Sequence, residues 1–463
     1  MDINKTKRDL KAFGTYFSRH FRLIGTAITH SSWKTKISMV IFGFAHFLRK
    51  QFLRGFAFLA GEVGLLYVAF GFGWQYLSKM GTLGTSMGGY NPDGTVSYGD
   101  NSFFILLYGI LAVLAMVAVI VLWCLNVVDN YNCEKRLSEG KTLPTNIEDW
   151  KNLFDKNFAQ TILTIPVLGI FVFTVIPIVF MICIAFTNYD KDHTPPAALF
   201  TWVGFENFRK IFDFGGMGLG STFFRVLGWT LIWALFATFL NYFLGMAVAI
   251  LINRKGIKLK KLWRTILVTT IAVPQIVSLL YIGKLFAADG LINLFLKNQG
   301  LITNPIPFWT NANYARVLII LINLWVGIPY MMLISTGLLL NIPSDLYESA
   351  RIDGASSFQM FRKITLPYMM FVTGPFLLTS YIGNLNNFNV IYLLNSGQPK
   401  SMSLSNGAGS TDLLVTWLYT VTVTNNDYKT AAVIGIMVFV VTSVISLIVY
   451  GMLPSIKNEE GFQ

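Results

Sequence analysis

Apolar residues run through this chain in long blocks, and charged residues gather at the ends of the blocks. Eight blocks reach the roughly 20 residues that a helix needs to cross the hydrocarbon of a bilayer. They are Phe56–Leu77, Phe103–Val128, Gln160–Thr187, Phe223–Ile252, Leu262–Ala288, Tyr314–Leu340, Met370–Leu394 and Thr430–Leu453. Pro166, Pro177, Pro274 and Pro329 fall inside them, which is tolerated where neighbouring helices satisfy the freed carbonyls. The pattern predicts an all-α polytopic membrane protein of about eight transmembrane helices.

One passage breaks the pattern. Glu348–Pro367 reads ESARIDGASSFQMFRKITLP and is polar in the midst of apolar sequence. Its spacing predicts helix, break, helix. Ser344 is placed to cap the first helix, and Asp345 suits the exposed amides of its first turn. Gly354 stops it, because glycine takes the left-handed conformation without steric cost. Ser356 followed by Gln359 is a capping-box pattern for the second helix. Pro367 kinks or ends that helix.

The chain divides accordingly. Residues 1–54 form a basic N-terminal region that starts too polar for a cleaved signal peptide. Within it Trp33–Gln51 reads either as a helix lying on the inner membrane surface or as a basic tail of little structure. Residues 55–158 hold two spans and a charged loop. Residues 159–453 form a core of six spans with the polar loop 342–369, and 454–463 are a tail.

Composition supports this. With 54% hydrophobic and 13% charged residues the chain departs far from soluble proteins. The net charge of +13 would suggest nucleic acid in a soluble chain; here its distribution matters more. With both termini placed in the cytoplasm, twenty-six Lys and Arg fall in inner segments, seven in outer loops, and three (Arg225, Lys284 and Arg316) in spans. That is the bias that orients membrane proteins, and it places the 342–369 loop in the cytoplasm. Cys124, Cys133 and Cys183 have neither metal nor disulfide spacing in sequence.

Catalytic chemistry finds no support. The four histidines, His20, His30, His46 and His193, lie outside the spans, and neither a phosphate-binding glycine loop nor a nucleophile or zinc motif occurs. An ion-coupled carrier needs an ionisable group at membrane depth. Lys284 alone is a candidate, and its place near a segment end favours snorkelling to the interface.

Neutral polar residues are more informative. TSYIGNLNNFNVIYLL, Thr379–Leu394, holds four asparagines. On an uninterrupted helix Ser380, Asn384 and Asn387 form one stripe, with Tyr381 and Phe388 beside it. Carboxamides and hydroxyls next to rings suit an uncharged polyol, although asparagine and serine also bind helices together. Trp325, Gly327, Pro329 and Tyr330 form a Gly–Pro break that would open a cavity.

Glu348-Ser349-Ala350, then three residues, Gly354, nine residues, and Ile364-x-Leu366-Pro367 resemble the EAA signature of ABC import permeases. Ser349 in place of the second alanine is a small-for-small departure. NLWVGIPYMMLISTGLLLNIPSDLYESARIDGA resembles the sugar-permease branch, and NNFNVIYLL with GSTDLLVTWLYT resembles the MalF-type maltose/maltodextrin permeases. The resemblance covers about the last 240 residues well and the first three segments in layout only. It implies an ABC type I importer permease fold that is no enzyme and binds no cofactor, with ATP and Mg held by a partner ATPase dimer. It implies a second, MalG-type permease, an extracellular sugar-binding protein and a maltodextrin substrate at a bacterial plasma membrane. It assigns ATPase coupling to Glu348, Ser349, Ala350, Gly354, Ile364, Leu366 and Pro367. It assigns sugar contacts to Gly327, Tyr330, Ser380, Gly383, Asn384 and Asn387. Another oligosaccharide or a polyol is the alternative substrate, and a secondary transporter using Lys284 a more distant one. Asn188–Thr222 is short where well-known members of the family insert a folded domain, which puts that family's contact with its binding protein in doubt. In this it resembles the permeases of Gram-positive bacteria.

Overall fold

A computed structural model describes residues 22–90, 96–215, 218–254 and 256–452. The start of the N-terminal region, part of the first outer loop, Lys255 and the expected tail 454–463 lie outside the described residues. The chain packs as two compact units, Met1–Gly204 and Phe205–Gln463. Among the described residues the regular structure is helical apart from a small hairpin pairing Gly89–Tyr90 with Val96–Ser97.

Six helices among the described residues are long and apolar enough to cross a membrane. They are Phe52–Phe72, Ser102–Ser138, Phe158–Ile184, Leu219–Asn253, Ala312–Leu339 and Tyr428–Met452, and a bent pair makes up to seven. In that pair Lys260–Ala272 meets Gln275–Leu285 at 90°. Pro274 causes the bend: it forces Val273 into an extended conformation and itself caps the second helix.

The expected seventh span, Met370–Leu394, is not one helix. Leu366–Leu385 is helical, the chain turns at Asn386 and Asn387, and Phe388–Asn395 begins anew. Asn387 is extended, and its Oδ1 accepts from Val390 N at 3.3 Å, so its side chain starts the second piece rather than extending the first. Length and apolarity alone therefore do not reach eight spans.

Two other breaks expected at proline are absent. Ala312–Leu339 runs unbroken through Pro329. Pro367 does not end the helix before it. A π-turn over Phe361–Thr365 precedes it, and the helix continues from 357 to 385. The wider turn gives the proline ring room where the α-helical carbonyl four residues back would clash. Pro177 follows a π-turn over Phe171–Val175 in the same way.

In the first unit Trp33–Ser38 and Phe44–Leu48 are two short helices separated by Gly43 in the left-handed conformation. They pack on the basic end of the Ser102–Ser138 helix through a buried polar network. Asn126 and Asn130 bond Ser38, Gly43 N donates to Asn126 Oδ1 at 3.1 Å, and Glu62 Oε2 accepts from Phe42 N at 2.8 Å. Arg54 joins Asp149 at 2.6 Å and Asp129 at 3.1 Å.

The core of the second unit is built around Trp229, Trp233, Leu279, Ile319, Ile322, Leu385 and Ile391. The Leu219–Asn253 and Ala312–Leu339 helices lie very close at two points one turn apart. A Cβ on Gly327 would stand 2.6 Å from Asn241 Cγ, and one on Gly245 would stand 2.9 Å from the Met331 backbone. Residues without side chains are what such an approach requires.

Candidate functional site

Two places gather the residues singled out in the sequence. The first is the polar hook between the Ala312–Leu339 helix and the 357–385 helix. Its first helix, Ser344–Ile352, begins at Ser344, with Pro343 at the cap and no side-chain cap bond. Ser344 is thus not the cap; its hydroxyl donates to the neighbouring Asp345 Oδ1 at 3.2 Å. The C-terminus is as expected. Gly354 has φ +77°, Ala355 N donates to Ala350 O at 2.9 Å, and Gly354 N donates to Arg351 O at 3.0 Å. This pair of bonds closes the helix and reverses the chain. Ser356 and Gln359 then form the full capping box.

The hook is held as a unit. Tyr347 Oη and Thr365 Oγ1 lie 2.8 Å apart, tying the first helix to the π-turn of the second. Ile364 and Leu366 are half-buried, and Leu366 packs with Phe361 against Tyr242, Met246, Met369 and Leu377. Glu348, Ser349 and Gly354 face outward. So do Ile352, 87% exposed, and Phe358, 69% exposed. A polar loop with large apolar side chains turned out beside a carboxylate is suited to another protein surface.

The second place is the polar seam on the Leu219–Asn253 helix. A π-turn over Phe236–Leu240 presents Thr238 on one side and Asn241 just beyond it. Asn384 Nδ2 donates to Thr238 Oγ1 at 3.0 Å, and Asn387 Nδ2 reaches Asn384 Oδ1 at 3.4 Å. Trp233 Nε1 donates to the Asn384 carbonyl at 3.1 Å. Gly327 lies against the Asn241 side chain, whose Oδ1 is buried without a protein partner. Gly327, Asn384 and Asn387 therefore meet around one helix. Ser380 is one turn before Asn384 on the same helix, and Gly383 is exposed beside it. Tyr330 is half-exposed.

The single stripe expected for Ser380, Asn384 and Asn387 is therefore two segments, joined by the Asn384–Asn387 bond. Tyr381 lines an apolar cavity of about 880 Å³ with Phe239, Phe371 and Ile445. Phe388 stacks on Tyr392 at 4.7 Å, and both rings meet Tyr419 at 5.1 Å. Lys284 is exposed in the last turn of Gln275–Leu285. Arg316 lies over Trp229 at 4.9 Å and donates to the Ser410 carbonyl at 2.8 Å. Sequence reasoning missed Thr238 and Asn241; the available signal was their polarity within an otherwise apolar span.

The model of the family described as "Binding-protein-dependent transport system inner membrane component" matches residues 241–456. The galactooligosaccharides transport system permease protein GanP of Bacillus subtilis (strain 168) is 38% identical over 425 residues, 91% of this chain and 97% of its own. The maltodextrin transport system permease protein MdxF of the same organism is 33% identical over 447 residues, 94% of this chain and 98% of its own. The maltose/maltodextrin permease protein MalF of Escherichia coli (strain K12) is 33% identical over 266 residues, 56% of this chain and 51% of its own. A crystal structure of a bacterial alginate ABC transporter, in complex with a pentasaccharide-bound periplasmic protein, has a similar fold. Its TM-score is 0.53 at 23% identity, over 66% of this chain and 97% of that one. The 342–367 hook with its EAA spacing falls inside the family match, and the chain belongs to the family of binding-protein-dependent transport permeases, as a multi-pass sugar ABC importer subunit of the MalF type.

Proposed function

We propose that this permease carries maltodextrins inward by alternating access. As a member of its family it works beside a second permease, an ATPase and a substrate-binding protein, and ATP is hydrolysed in the ATPase rather than here. In our reading the second permease is MalG-type and both termini are cytoplasmic. ATP and Mg act in the partner, and this chain needs no cofactor of its own.

The observation that carries the reading is the joined set of Asn384 and Asn387, beside the turn between two apolar helices, with Thr238 of the Leu219–Asn253 helix. Such carboxamides offer donors and acceptors to sugar hydroxyls, without a charge that would hold an ion. Ser380, Gly383 and Tyr330 extend the set, and Gly327 shapes the helix contact behind it. The hook is the coupling element: Glu348 and Ser349 on its outer face meet the ATPase, the Ala350 carbonyl and Gly354 form its turn, and Ile364, Leu366 and Pro367 root it. ATP-driven closure of the ATPases shifts the hook, and the permease follows only as far as its affinity for the two ATPase states differs.

Galactooligosaccharide is the second reading, favoured by the 38% identity to GanP. Uptake of labelled maltose, maltotriose, longer dextrins and galactooligosaccharides, with this subunit deleted and restored, decides between them. Restored dextrin uptake supports the first reading, and restored galactooligosaccharide uptake alone replaces it. Uptake that survives loss of the ATPase and collapses with the proton gradient would overturn both.

A further inference from the structure

His46, Asp129 and Cys133 lie together in the first unit, far along the chain from the hook and seam. Asp129 and Cys133 are one helical turn apart on Ser102–Ser138 and share a face. His46 sits on Phe44–Leu48 and is fully buried. One donor atom from each of the three lies within 4.8 Å of the other two.

The orientation of the imidazole is fixed by its far side. Gln51 Nε2 donates to the Pro144 carbonyl at 3.4 Å, which turns Gln51 Oε1 toward His46 Nδ1 at 3.0 Å. Nδ1 therefore carries the hydrogen, and Nε2 of the neutral ring carries a lone pair. That lone pair faces Asp129 Oδ2 at 3.3 Å, and Nε2 has no hydrogen-bond partner. A buried nitrogen lone pair set against a carboxylate is repulsive unless a cation lies between them, either a proton that makes the ring an imidazolium or a metal ion. Cys133 Sγ lies beside Gln51, donating to its Oε1 at 3.7 Å, and belongs to the same group of three donors. Arg54 takes part of Asp129, at 3.1 Å from each oxygen, but a carboxylate has lone pairs to serve both an arginine and an ion.

We propose that His46 Nε2, Cys133 Sγ and an Asp129 oxygen bind a zinc ion. Nitrogen, thiolate and carboxylate are the donors zinc selects. The Gln51 carboxamide on Nδ1–H is the outer partner that a metal-bound histidine uses. Tetrahedral zinc sets its donors about 3.5 Å apart; His46 Nε2 and Asp129 Oδ2 already stand at 3.3 Å, and rotation of the Cys133 side chain must bring Sγ to them. The fourth position opens on a polar cavity of about 550 Å³ lined by Arg54, Asp129, Asn132, Cys133 and Glu139. A water enters there. Binding replaces the thiol proton, which leaves to solvent as the zinc–sulfur bond forms. The ion staples the segment Trp33–Gln51 to the basic end of the long helix.

The test uses the full chain, copurified with its partner subunits in detergent without chelator. Elemental analysis is expected to find one zinc per chain. After chelation, titration with Co²⁺ is expected to give a thiolate-to-cobalt charge-transfer band. Both are lost in Cys133→Ser and His46→Gln and kept in Cys124→Ser and Cys183→Ser. Gln51→Leu weakens binding by about 10–100-fold. Because Cys133→Ser can also fail to fold, alkylation of wild-type Cys133 is measured with and without zinc, and zinc must slow it. Wild-type protein that holds no zinc and gives no band overturns the proposal and leaves a simple histidine–aspartate contact. A band that persists without the Cys133 thiol overturns it as well.

Discussion

Replacing Gly327 with alanine separates packing from sugar contact. The added methyl would lie 2.6 Å from Asn241 Cγ, and Asn241 is buried. The side chain cannot yield freely, because its Nδ2 donates to Ala237 O at 2.8 Å. Overpacking of this kind costs about 1–3 kcal/mol, and the bond to Ala237 is worth about 0.5–1.5 kcal/mol. Against this, alanine is favoured over glycine inside a helix by about 1 kcal/mol. The expected net loss is about 1–3 kcal/mol, taking the three together. It is read as a lower thermal unfolding midpoint of the detergent-purified complex and a lower level of the subunit in membranes. Asn241→Ala removes both the obstacle and the unpartnered Oδ1. The double variant Gly327→Ala/Asn241→Ala should therefore recover stability, with a coupling of at least about 1 kcal/mol. If Gly327→Ala is as stable as wild type, or the second change rescues nothing, the close approach is not what requires glycine. Uptake per folded subunit then reports any direct role toward sugar.

Other expectations follow from the same geometry. Glu348→Lys inverts the charge on the exposed face of the hook and should abolish uptake and sugar-stimulated ATP hydrolysis while the assembled subunits still copurify. Gly354→Val puts a β-branched residue at φ +77° and should cost about 1–2 kcal/mol locally, seen as uptake lost with the spans intact by protease protection. Asn387→Ala removes a helix cap worth about 1 kcal/mol together with a proposed sugar contact; the apparent affinity for dextrins should fall, and an unchanged sugar profile would leave the residue structural. Arg54→Ala leaves Asp149 buried without its charged partner and should lower stability by about 2–3 kcal/mol, measured as the loss of thermal midpoint in the purified complex.

The hook was the most legible part of the chain. Gly354, Ser356 and Gln359 act locally, through φ and through bonds spanning three to five residues, so sequence spacing alone placed them. Ser344 failed because Pro343 already occupies the cap. The spans were legible as apolar blocks, but their breaks were not. Pro274 bends its helix by 90° whereas Pro329 and Pro367 do not, and the difference lies in the surrounding turns and packing. Asn387 was read as part of a stripe because periodicity cannot show where an asparagine begins a new helix. The contacts of Asn384 with Thr238 and of Gly327 with Asn241 join residues far apart in sequence, and no periodicity could have paired them. Nor could the spacing of the cysteines show that Cys133 meets His46.

The π-turn before Pro367 has a mechanical consequence. Because it spares the helix a break, residues 357–385 form one continuous rod of 29 positions, on the order of 43 Å long. One end is the capping box of the hook, and the other is the last helical turn, which carries Asn384. Swinging it by about 5° about one end moves the other by roughly 4 Å, more than the length of a hydrogen bond. A small rotation of the rod as one body is therefore enough to make or break the Thr238–Asn384 bond.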